Sequence, residues 1–136
     1  MFLKKCKILK KEKGASAVEF ALILTPLIIL IFAIFQFGIL FNNWIALTYA
    51  AREGARLAAV DVLESEIKTK VIERAPSVMI DPSNITFDGL SGEIGTPVTV
   101  TVRGNVLNFS LPLVPGTQKS ITLTSSATLM IEYQNP

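Results

Sequence analysis

From Phe20 to Phe41 the chain carries only two polar side chains, Thr25 and Gln36, and it meets no charge between Glu19 and Arg52. As an α-helix, at about 1.5 Å per residue, that run reaches about 33 Å, enough for a hydrocarbon core of about 30 Å. Such a segment admits few folds. In lipid its backbone groups have to bond to one another, which makes a single isolated span a helix. The 136 residues then leave room for one membrane segment and one small outer domain. The mean hydropathy of +0.49 is inflated by the run and says little about the remainder.

The flanks of the run set its direction. Residues 1–13 carry Lys4, Lys5, Lys7, Lys10, Lys11 and Lys13 against Glu12, so their side chains sum to +5 (six minus one). After residue 51 there are seven basic and nine acidic side chains, a balance of −2. The positive-inside rule puts the N-terminus in the cytoplasm and residues 60–136 outside a single-pass inner (cytoplasmic) membrane segment. Topology accounts for the lysines, so no nucleic-acid partner is expected. An ordinary secretory signal has an apolar core of about 7–15 residues closed by an A-x-A-like site; this run is too long and lacks that closure.

Cys6 is the only cysteine and it precedes the run, which excludes an intramolecular disulfide and argues against a lipid-bearing cysteine. The chain has no histidine, so histidine-based triads and cysteine–histidine zinc sites are excluded.

One carboxylate breaks the pattern. Glu19 stands at the edge of the run; a charge costs roughly 2.5 to 3.5 kcal/mol at the centre of a membrane helix, so one bordering such a run invites a partner. With the lysine-rich leader, Gly14-Ala-Ser-Ala-Val-Glu19-Phe20 resembles the processing site of type IV-pilin-like precursors, most closely the tight-adherence (Tad/Flp) branch. Ala50-Ala-Arg-Glu-Gly-Ala-Arg56 resembles the segment of TadE-like minor pseudopilins that follows their membrane run. The resemblance extends from Met1 to about Val60 and is weaker over the β-rich tail. It implies that prepilin peptidase cuts between Gly14 and Ala15, and that Glu19 and Phe20 become positions five and six of the mature chain. It further implies that Glu19 pairs with the new α-amino group of its own or a neighbouring chain during assembly. The expected partners are therefore the membrane, prepilin peptidase, and other pilin-like subunits with the pilus assembly machinery.

The expected order is a basic leader over 1–14, a transmembrane helix over 15–45, a helical segment over 46–76 and a β-rich outer domain over 77–136. The leader needs no more than a loose helix at the membrane surface. Pro26 removes one backbone bond and predicts a kink. Asn42, Asn43, Trp44 and Tyr49 mark the exit from the bilayer. Ala51, Gly54 or Ala55, and Ala58 recur at helical spacing, so a second element can approach closely on their face. The chain's own sheet is the first expected partner there and an adjacent subunit the second, with Arg52, Glu53 and Arg56 turned away. Leu63, Ile67, Val71 and Ala75 form an apolar helical stripe that Pro76 ends. With no glycine or proline near Asp61, a nearly continuous helix with a bend is expected.

Beyond Pro76 the period becomes alternating. Asn84–Asp88 reads as a short strand, Gly89–Gly92 as a turn, and Val98, Val100 and Val102 as the buried side of a strand reaching Phe109. Gly104 inside it predicts a bulge or bend. Leu111–Gly116 reads as a loop. Ile121, Leu123, Ala127, Leu129, Ile131 and Tyr133 share one side of a last strand that only Ser125 interrupts. The fold class is α+β: a long N-terminal helix extending into a small domain with a helix packed on an antiparallel sheet of about three strands.

Asp81, Asp88 and Glu93 match no calcium-loop spacing, and the two aspartates precede Pro82 and Gly89 as turn residues do. No cofactor, metal, small-molecule substrate or enzymatic activity is expected. Two readings stand: a pilin-like minor subunit of a Tad/Flp pilus or its assembly and secretion machinery, and an uncleaved signal-anchored protein with a small extracytoplasmic binding domain.

Overall fold

A computed structural model describes residues 2–109 and 119–132, with side chains described over 14–106 and 120–132. Helix α1 runs Phe2–Ala59, 58 residues without interruption. The helix thus starts ahead of Ala15, within the basic leader. From Gly14 to Ala59 it is the one helix among the described residues long and apolar enough to cross a membrane.

At Ala59 the expected bend is a full break. Asp61 adopts φ 58°, and α2 (Glu64–Arg74) begins shortly after it. Aspartate tolerates the left-handed region better than most residues, so neither glycine nor proline is needed to stop the helix. Val62 N–H donates to Leu57 O at 3.2 Å across the turn. The turn sends α2 back along α1, where Ile67, Val71 and Ala75 are buried. Leu63, by contrast, is 74% exposed, because it caps α2 from outside the first turn and does not extend its apolar stripe.

After α2 a one-turn 3₁₀ helix (Pro82–Asn84) leads into β1 (Ile85–Asp88), followed by β2 (Pro97–Phe109) and β3 (Lys119–Met130). The sheet is antiparallel in the order β1-β2-β3. Val98, Val100 and Val102 are fully buried on the side facing α1, each contributing about 1.5–3 kcal/mol of burial. Gly89, at φ 82°, makes the turn after β1, with Gly92 N–H donating to Gly89 O at 3.0 Å.

Gly104 does not make the bulge expected of it. It pairs in register with Leu123, and the register slips only between Val106 and Phe109. Its role is close approach. Met79 bridges Asn105 along the edge of β2, which aims Val78 and Ile80 over Gly104. A Cβ at 104 would overlap Val78 Cγ1 and stand 3.3 Å from Ile80 Cγ1 and 3.4 Å from Leu47 Cδ1.

A single core joins these pieces: Leu47, Ala51, Ala55 and Ala58 of α1, Ile67 and Val71 of α2, and the β2 valines. The small-residue face of α1 therefore receives the sheet, as its spacing predicts, and α2 as well. At Gly54 a Cβ would lie 2.8 Å from Val71 Cγ2 and 3.1 Å from Val100 Cγ1, so glycine lets both elements reach the helix at one point. Along β3, the stretch from Ile121 to Ala127 alternates half-buried with exposed residues. Ser125, the break in its apolar side, donates to Thr48 Oγ1 at 3.2 Å and ties β3 to α1. Leu111–Gly116 and Tyr133 lie outside the described residues.

Candidate functional site

The N-terminal motif stands on an unaccompanied helix. Gly14, Ala15, Glu19 and Phe20 are all exposed, and apart from Gly14's chain neighbours and its own turn of helix backbone no described atom lies within 4 Å of where a Gly14 Cβ would be. Nothing in the fold requires glycine at 14, in contrast to Gly54 and Gly104. The ion pairs Glu53–Arg56, Glu64–Lys68 and Lys70–Glu73 lie elsewhere, on α1 beyond the apolar run and on α2, and none involves Glu19. Pro26 lies within α1, which remains helical through it. Thr25 Oγ1 donates to Ala21 O at 3.1 Å in the adjoining turn, the kind of local bond that helps a membrane helix carry proline.

Past the run, the faces of α1 separate. Asn43 is buried, 4% exposed, and begins the face that continues through Leu47, Ala50, Ala51, Gly54, Ala55 and Ala58. Trp44 and Tyr49 stay outside, about half exposed. Arg52 and Arg56 are exposed and Glu53 is half-buried, turned from the core as expected. Arg56 grips Glu53 with two bonds, Nη2 to Oε1 at 2.8 Å and Nε to Oε2 at 3.1 Å. This hydrogen bonding holds the Glu53 carboxyl below its ordinary range, against a smaller opposing effect of burial, and the charges of Arg56 and Arg74 act in the same direction. The Arg56 guanidinium is correspondingly pushed up.

Arg74 was not legible as a neighbour of Arg52. It ends α2, and only the reversal at Asp61 brings it back beside α1. There it lines a groove of about 680 Å³ with Tyr49, Arg52, Glu53 and Arg56 on one side and the Ser126–Met130 edge of β3 on the other. A second hollow, about 450 Å³, lies beside Asn42, Ile45, Ala46, Tyr49 and Arg74.

The turn reading of Asp81 is explicit: its Oδ1 accepts from Ser83 N–H at 2.9 Å and from Ser83 Oγ at 2.6 Å. The Ser83 bonds hold its carboxyl low. Among the described residues, no three histidine, cysteine or acidic side chains converge as a metal site would require.

No curated protein and no solved structure matches the chain. A family model does: the one described as TadE-like protein matches residues 14–56. That span starts at the glycine of the processing-type motif and ends at Arg56 of the small-residue segment. Over the apolar helix and its exit, from Gly14 to Arg56, the chain is similar to TadE-like proteins.

Proposed function

We propose that the chain is a pilin-like minor subunit, a pseudopilin, of a Tad/Flp-type pilus or of its assembly and secretion machinery. The match over 14–56 supports a protein associated with the Tad pilus. The observation that carries the finer reading is the contrast between the two ends of α1. Its C-terminal part is the spine of a folded domain, whereas Gly14–Phe41 presents an apolar surface on which Phe20, Leu22, Ile23, Ile34 and Phe35 are each more than 60% exposed. Such a surface requires lipid or neighbouring helices. Glu19 at its start supplies a charge whose partner must come from outside the described fold.

In this reading the apolar helix anchors the chain in the inner membrane with the lysines in the cytoplasm. Prepilin peptidase removes Met1–Gly14, leaving Ala15 with a free amine and Glu19 one helical turn on. The mature subunit then acts by helix packing, with Pro26 a point of local weakness, and the segment Ala51, Arg52, Glu53, Gly54, Ala55 and Arg56 joins the helix to the outer domain.

Intact-mass measurement of the membrane-extracted protein, from cells with an active peptidase, tests the reading. Loss of Met1–Gly14 is expected, and Gly14→Leu should abolish it because a pocket shaped for glycine cannot take the larger side chain. A mass including all 136 residues in the parent would favour the uncleaved signal anchor.

A further inference from the structure

We propose that Arg74 and Arg52, with Tyr49, form a binding site for the phosphate of an anionic phospholipid headgroup at the exit of the apolar helix. The proposal rests on the reading that α1 spans a membrane. The two arginines stand on different helices, yet they line one groove together with Tyr49. Arg74 and Tyr49 also line the adjoining hollow, whose other members, Asn42, Ile45 and Ala46, continue directly from the apolar run. A largely apolar hollow with Arg74 at its margin therefore continues from an apolar helix surface, which suits a lipid whose acyl chains lie along the helix and whose phosphate meets the arginine.

Depth along α1 puts Arg74 nearest the headgroups and the backbone of Arg52 beyond them. Headgroup layers add about 5–7 Å on each side of the hydrocarbon core. If the core ends near Phe41, Asn42 to Tyr49 stand about 2–12 Å beyond it along α1, and Arg74 lies against that stretch. Arg52, about 16 Å beyond, can extend its side chain toward the bilayer. Glu53 and Glu132 also line the groove, and its three arginines outnumber them by one. Arg56 is engaged by Glu53, whereas neither Arg52 nor Arg74 takes part in the ion pairs among the described residues. Guanidinium groups bind phosphate oxygens through paired N–H donors, and the Tyr49 hydroxyl supplies a further donor in the same groove.

Trp44 is the chain's one tryptophan, half exposed and little more than one helical turn from Tyr49, so its fluorescence reports on this end of the helix. The lysines of residues 4–13 are remote from it, at least about 46 Å along α1. The full chain would be reconstituted in phosphatidylcholine vesicles containing a minor fraction of brominated phosphatidylglycerol or, in parallel, brominated phosphatidylcholine. Quenching of Trp44 at several-fold lower mole fraction of the anionic lipid is expected. Each arginine replaced by alanine should cut that preference roughly fivefold, and R52A/R74A should abolish it, with the helical circular dichroism of the parent retained. Equal quenching by the two lipids, or a preference that survives in the double variant, would overturn the site. A preference removed by inorganic phosphate, but not by chloride of equal ionic strength, would overturn the lipid as ligand in favour of free phosphate. Failure of the spanning reading is separately visible: the chain would not float with vesicles of phosphatidylcholine alone, and neither lipid would quench Trp44.

Discussion

Gly104→Ala is the substitution on which local propensity and packing disagree in sign. In a strand interior, glycine is worse than alanine by roughly 0.5–1 kcal/mol, so propensity by itself predicts stabilisation. The structure predicts the reverse. The new Cβ would overlap Val78 Cγ1 and press within 3.3 Å of Ile80 Cγ1, where ordinary carbon contacts are about 3.5–4.0 Å. Val78 is 5% exposed and β-branched, so it has little freedom to turn aside. Overpacking of this kind costs about 1–3 kcal/mol, leaving a net loss of roughly 0.5–2 kcal/mol. Pulse proteolysis of the full chain in mild detergent across a urea series measures the loss. With a urea slope near 1 kcal/mol per molar, the midpoint should fall by about 0.5–2 M. Val78→Ala alone should cost roughly 2 kcal/mol, but it removes the obstructing methyl. The double variant should therefore be more stable than the sum of the two single losses, by about 1 kcal/mol. A Gly104→Ala protein as stable as the parent, or strictly additive losses, would refute the close-approach explanation.

Three further outcomes follow from the helix. Asp61→Val should lose about 1–2 kcal/mol in the same assay relative to Asp61→Gly, since both remove the carboxylate but only valine resists a positive φ; equal stability would mean that the backbone of the α1–α2 turn sets no requirement. Glu19→Gln keeps size and hydrogen-bonding capacity but removes the charge, so the variant should be cleaved and inserted yet fail to co-purify with the pilus; normal assembly would remove the pairing role. Protease added to spheroplasts should digest residues 60–136, and their full protection would contradict the charge argument for orientation.

Some of this protein was written along the chain. The uncharged run fixes a long apolar helix because a contiguous string of such side chains needs no partner to be recognised. The small residues of 51–58 give a close-packing face, and alternation gives the strands, since periods of 3.6 and 2 are local properties. The motif from Gly14 to Phe20 is likewise legible in full. The tertiary structure decided the rest. Asp61 breaks the helix because α2 gains its core by folding back onto Gly54, a reward that no window around residue 61 contains. Gly104 reads locally as a bulge, but Val78, which precedes the whole sheet in the chain, requires the glycine there. Arg74 comes to line one groove with Arg52 only after the reversal at Asp61. Local sequence states what each segment prefers; which side chains share a groove depends on contacts between distant segments, and these form only when the core closes.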